Sequence, residues 1–214
     1  MSIEKLKFGG PPTTPEEENE FVLDRNKYLL EHIAHQEEQL GIDHLTGLKN
    51  RKAFENELEK SLKAIREGGE PQRKKSEPLE EISLIFVDLD NFKQVNDTHG
   101  HLEGDNVLKK VAEILATSVR EADVVARFGG DEFYVLLPRA NEKEGKVVAD
   151  KIRINLENDD KLTEFNVTAS IGVSSADVAN PLDPESLIQR ADAAAYVAKG
   201  NGKNQVVVHN GDGI

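Results

Sequence analysis

Apolar positions along the chain follow two different periods. From Glu17 to about Leu40 they recur every three to four residues. Val22, Leu29, Ile33 and Leu40 fall on a heptad seam whose other positions are Asn26 and Gln36. The spacing predicts a helix and fits a short, imperfect coiled coil, in which a polar seam residue such as Asn26 fixes register. It fits equally a helix that packs on its own domain. Before it, residues 1–16 carry Gly9, Gly10, Pro11, Pro12 and Pro15 and read as a flexible leader. A second helix is predicted from Lys52 to Arg66. Glu67 to Glu80, with Gly68, Gly69, Pro71 and Pro78 and no periodicity, reads as a surface loop.

Beyond that loop, short apolar runs alternate with helical patterns. Ile82–Leu89, Val124–Phe128, Glu132–Leu137, Val167–Val173 and Gln205–Val208 read as strands. Asp105–Val119, Asn141–Leu156 and the alanine-rich Glu185–Lys199 read as helices. The Gly-Gly between the second and third strands predicts a hairpin, and with it antiparallel pairing. The fold class is therefore α+β or mixed α/β, with strands and helices around one core.

Composition narrows the setting. The 214 residues contain no cysteine, which excludes a disulfide framework and thiolate metal sites. No apolar run approaches the roughly 20 residues of a membrane span, and no secretory signal is visible, so a cytoplasmic location is the expectation. The formal net charge of −13 disfavours long nucleic acid and anionic lipid as partners. A small polyphosphate remains compatible, because a metal ion and a few lysines override the global field locally.

Two carboxylate groups stand at strand ends. Asp88 and Asp90 close an apolar strand and, two residues apart, share a face. Ionised carboxylates there need compensation, and a hard divalent cation such as Mg²⁺ supplies it. Taken alone, such a pair is more often a cap or a surface turn. Gly129 and Gly130 supply the backbone freedom of a tight turn with room for a ligand, and Asp131 and Glu132 stand at its tip. Were the two strands neighbours, Asp88 and Asp131 would bind metal together, as in nucleotidyl transfer.

Here the chain resembles the GGDEF family of diguanylate cyclases. Gly129-Gly130-Asp131-Glu132-Phe133 is intact behind Arg127 and Phe128. Asp43-His44-Leu45-Thr46, Asp88-Leu89-Asp90-Asn91-Phe92-Lys93, Asn96-Asp97, Gly100-His101, Gly104-Asp105, Ser170-Ile171-Gly172-Val173 and Arg190-Ala191-Asp192 follow in the family's order. The resemblance covers about residues 43–210, with residues 17–42 left as a signalling or dimerisation helix. It implies a palm-like, mainly antiparallel sheet surrounded by helices, similar to nucleotide cyclases. It implies Mg²⁺, with Mn²⁺ as a substitute, on Asp88, the Leu89 carbonyl and Asp131. Asp131, Lys93 and Glu132 would be catalytic. Phe92, Asn96, His101, Asp105, Gly129, Gly130, Lys199 and Lys203 would bind GTP. Lys203 replaces the family's usual arginine, and Ala195 stands where a larger apolar residue is common.

The implied reaction condenses two GTP into cyclic di-GMP in a two-fold homodimer. Arg120 and Asp123, an Arg-x-x-Asp with five residues before Gly129, match the family's product-inhibition site. The helical arginine often added there is replaced by Lys151, with Arg153 close by. A non-catalytic member that binds cyclic di-GMP or GTP as a receptor or scaffold is the alternative.

Overall fold

The computed structural model describes residues 14–15, 19, 21–29, 41–67 and 78–209, and the chain divides into two units, residues 1–41 and 42–214. In the first unit, residues 21–29 are helical, which covers Val22, Asn26 and Leu29 of the seam. Ile33, Gln36 and Leu40 lie outside the described residues, as do nearly all of the leader and residues 68–77 of the anticipated loop.

The second unit is a six-stranded sheet. In chain order its elements are β1 (Lys49–Asn50), α1 (Arg51–Arg66), β2 (Glu81–Asp90), α2 (Phe92–His99), α3 (His101–Ser118), β3 (Val124–Gly129), β4 (Glu132–Pro138), α4 (Glu142–Glu157), α5 (Asp160–Glu164), β5 (Thr168–Asp177), α6 (Pro184–Gly200) and β6 (Val206–Val208). The strand order is β1-β3-β4-β2-β5-β6. The three central pairings are antiparallel, and the short outer strands β1 and β6 add in parallel. This is the palm-like, mainly antiparallel sheet that the resemblance implies.

β2 shows why the sheet sits where it does. Its residues alternate between two cores, as a period of two requires. Ile85, Val87 and Leu89 face Val107, Val111, Leu115 and Ile152 of α3 and α4. Leu84 and Phe86 face Phe54, Leu58, Leu187 and Ala191 of α1 and α6. With both faces covered and both edges paired, β2 is the most enclosed strand, and its C-terminal end carries the two aspartates into the interior.

The alanines of α6 have a packing reason. A Cβ on Gly172 of β5 would sit 1.9 Å from the Ala191 carbonyl oxygen and 2.5 Å from the Ala195 nitrogen. Helix backbone lies directly on strand backbone, and Ala191, Ala194, Ala195 and Ala198 are all buried. Ala195 thus belongs to a close-approach seam.

The main departures from the sequence reading lie after β2. α2 is an additional helix, and α3 begins at His101, four residues before the predicted start. FKQVNDTH buries only Phe92 and Val95, too few positions to register as periodic. Gly100, at φ 84°, ends α2 through an N–H donated to the Asn96 carbonyl and opens α3. β1 and α5 are two and five residues long, below the length at which a pattern shows.

Candidate active site

The antiparallel register places the acidic groups side by side. Asp88 of β2 lies opposite Glu132 of β4, and the Leu89 N–H donates to the Asp131 carbonyl at 3.3 Å. The turn between β3 and β4 needs positive φ at Gly129 (146°) and Gly130 (53°), and no atom stands within 4 Å of where either Cβ would be. The chain therefore leaves open space beside the carboxylates.

A latch that the sequence reading did not anticipate fixes this turn. Arg127 donates through Nε and Nη2 to the Gly130 carbonyl at 3.1 and 2.8 Å. Its Nη1 meets the Asp43 carboxylate at 3.2 Å, with both side chains largely buried. Asp43 in turn accepts from the Thr46 amide at 2.9 Å and from its hydroxyl. The Asp43–Thr46 segment and the hairpin are thus one hydrogen-bonded unit. The signal was present, since Arg127 precedes the turn by two residues, but its partner is 84 positions away.

Asp88 and Asp90 differ in role. Asp90, 2% exposed, accepts from Thr168 Oγ1 at 2.7 Å, Ser170 Oγ at 2.8 Å and the Asn204 amide at 3.1 Å. Those bonds satisfy its carboxylate and tie the β2 end to β5 and to the loop after α6. Hydrogen bonding is what compensates Asp90, which is not among the metal ligands that the resemblance implies. Asp88 has one close partner, Lys199 Nζ at 2.6 Å.

Electrostatics separate the two further. Burial holds the Asp88 carboxyl above the usual carboxylate range; Lys199 opposes this, and Asp131 and Asp90 add to it. Burial also raises Glu132, followed by repulsion from Asp88, Asp131 and Asp192. Burial pulls Lys199 down, but its bond to Asp88 and the surrounding acids leave it above the ordinary lysine value. The cluster holds more negative charge than one lysine neutralises. Beside it lies a cleft of about 320 Å³ lined by Phe86, Asp88, Asp192, Ala195, Tyr196 and Lys199.

Mg²⁺ fits this donor set. The groups are hard oxygens; burial and neighbouring acids oppose the ionisation of Asp88 and Glu132, and a small dication relieves both effects. Among the described residues no three side chains of His, Cys, Asp or Glu form a metal site on their own. That suits an ion bound by one or two carboxylates, with water and phosphate completing its shell.

The remaining predicted residues fall on α2, α3 and the loop after α6. Phe92, 7% exposed, has its side chain in the core, so what it can offer a nucleotide is backbone. Lys93 is exposed at the start of α2, and no ion pair engages it among the described residues. The Asn96 side chain covers Gly104, where a Cβ would lie 2.0 Å from Oδ1. Asn96, His101 and Asp105 thus surround the α2–α3 junction. Lys203, at φ 67°, donates to Asn91 Oδ1 at 2.9 Å, which draws it to the β2–α2 turn.

Arg120 and Asp123 stand apart, between α3 and β3. The Arg120 amide donates to Asp123 Oδ2 at 2.8 Å. Lys151, expected to join them, donates instead to the Ser118 carbonyl at 2.8 Å and caps the C-terminus of α3. Arg153 is occupied by Glu157 at 2.7 Å and by Asn204. Neither helical cation is available to that site.

Known proteins share this arrangement. The family model described as diguanylate cyclase, GGDEF domain, matches residues 40–205. Response regulator PleD of Caulobacter vibrioides is 37% identical over 185 residues, 84% of this chain and 38% of PleD. Diguanylate cyclase A of Treponema denticola is 38% identical over 169 residues, 78% of this chain and 43% of that protein. The chain spans about two fifths of the length of these curated relatives. The crystal structure of the coiled coil and GGDEF domain of DgcB from Caulobacter crescentus, in complex with c-di-GMP, covers 92% of this chain and 100% of its own at 28% identity, with a TM-score of 0.68. No helix among the described residues is long and apolar enough to cross a membrane. From the hairpin, the paired strand ends and the matched span alike, the chain belongs to the GGDEF diguanylate cyclase family.

Proposed function

We propose that the chain condenses two GTP molecules into cyclic di-GMP, releasing two pyrophosphates. The observation that carries this reading is the register of β2 against β4. It sets Asp88 against Glu132 and brings Asp131 over Leu89, where Lys199 of α6 pairs with Asp88. A receptor for cyclic di-GMP alone, with no polyphosphate-bound metal to hold, would gain nothing from carboxylates gathered in this way.

Asp88, the Leu89 carbonyl and Asp131 would hold Mg²⁺ or Mn²⁺, which when bound supplies charge neutralisation at the phosphates. The rest is the work of this chain's residues. Asn96 and Asp105 bind the guanine edge, with His101 nearby; a carboxylate accepts from guanine N1 and N2, a donor pair that adenine lacks. Lys199, Lys203 and Lys93 hold the phosphates, and Lys93 opposes the charge that builds at the α-phosphate. Asp131 accepts the proton of the attacking 3′-hydroxyl. The O3′–Pα bond forms, the Pα–O bond to the β-phosphate breaks, and pyrophosphate leaves.

One domain presents one such site, so two must face each other about a two-fold axis, with the helix at residues 17–42 as the pairing element. Cyclic di-GMP would inhibit at Arg120 and Asp123. Incubation with GTP and Mg²⁺, resolved by chromatography beside Asp131→Ala, tests the reading. Cyclic di-GMP and pyrophosphate from the wild type alone support it. No product at any protein concentration, with dimers present, overturns it in favour of a receptor.

A further inference from the structure

Far from the acidic cluster, a cleft of about 220 Å³ combines an apolar lining with unengaged cations. Leu137, Pro138 and Val147 line it together with Arg120, Asp123 and Lys143. Val147, 68% exposed, adds apolar surface to its open side. The guanidinium of Arg120 has no hydrogen bond or ion pair among the described residues; only its backbone amide is used, toward Asp123.

The four cations of α4 sort cleanly. Lys146 pairs with Asp150 at 2.7 Å. Lys151 caps α3 at Ser118, and Arg153 is held by Glu157 and Asn204. Lys143 alone of the four lines the cleft, and among the described residues it makes no ion pair. Glu144 also lines the cleft, but its carboxylate turns back to the Asn141 amide at 3.0 Å in a capping box. The negative groups of the cleft are therefore engaged, and its two cations are not.

Such a cleft fits a ligand with flat apolar rings and separated phosphates. The rings cover the apolar lining, a guanine edge meets Arg120 and Asp123, and a phosphate meets a second cation. We propose that Lys143, at the start of α4, is this second cation of the product site, in place of the residue at 151. The inference rests on the reading of Arg120 and Asp123 as the site of product binding. It adds a residue in the first turn of α4, two residues from its N-cap, rather than one about three turns along.

Calorimetric titration of the purified full chain with cyclic di-GMP, without GTP, tests it independently of turnover. Lys143→Ala should weaken binding about tenfold, the scale of one lost charge-assisted contact. Lys143→Arg should restore it. Lys146→Ala, which removes the same charge outside the cleft, should stay within about twofold of the wild type. Melting temperatures of all variants control for folding. If Arg120→Ala abolishes binding while Lys143→Ala behaves like Lys146→Ala, Lys143 is not the contact. Should Arg120→Ala bind like the wild type, the reading of the product site itself falls.

Discussion

The two ends of β4 carry opposite chemistry. At its start, beside Asp131, burial and repulsion oppose the ionisation of Glu132 and of its neighbour Asp88. At its finish, Leu137 and Pro138 line a cleft whose cations lack partners. About 20 Å of strand separates them, at roughly 3.3 Å per residue. One end holds more carboxylates than its single paired lysine matches, and the other holds two cations whose neighbouring acids are already engaged; each excess describes a ligand. Because β4 is paired on both sides, the two ends occupy one rigid frame and can be perturbed separately.

The largest effect should come from the acidic end. Asp131→Ala should lower cyclic di-GMP formation by about 10²–10³-fold or more, the scale of losing a group that acts on the reacting atoms. Cyclic di-GMP binding at the opposite end should survive, as calorimetry would report. Loss of both functions together would break the separation. Arg120→Ala should remove product inhibition, seen as progress curves that no longer bend over as product accumulates.

Arg127→Ala should act on one end through the frame. It leaves the largely buried Asp43 without its ion-pair partner and frees the Gly130 carbonyl, at a cost of about 3 kcal/mol. Denaturant titration measures that cost, and turnover should fall with it while product affinity holds.

The smallest effect concerns pH. Burial first, then Asp88, Asp131 and Asp192, hold the Glu132 carboxyl above its ordinary value. Between the ordinary and the raised value the folded protein binds a proton that the unfolded chain has released, so stability falls as pH rises through that window. Metal-free Glu132→Gln should therefore melt above the wild type at neutral pH. The gap should close as pH drops below the ordinary glutamate range. An unchanged gap at low pH would deny the electrostatic cause.

What was legible in the sequence was chemistry at strand ends. Asp88, Asp131 and Glu132 stood out because polar residues interrupt apolar runs, and the sheet brings those ends together. Partners distant in sequence were not legible. Thr168 and Ser170 satisfy Asp90, and Asp43 holds Arg127, across 78 to 84 positions. Nor can spacing tell which of two lysines on one helix is engaged, as Lys151 and Lys143 show. α2 escaped because a helix that buries two side chains has no period to detect.

The enclosure of β2 has a regulatory consequence. A strand bonded to neighbours along both edges opens only when the whole domain does, and Asp88 travels with it. The proposed metal seat is thus a poor target for graded deformation by a signal. In the dimeric reading, what a signal can change is how often, and in what orientation, two finished half-sites meet. Control would then be exerted over encounter, with catalysis as its all-or-none readout.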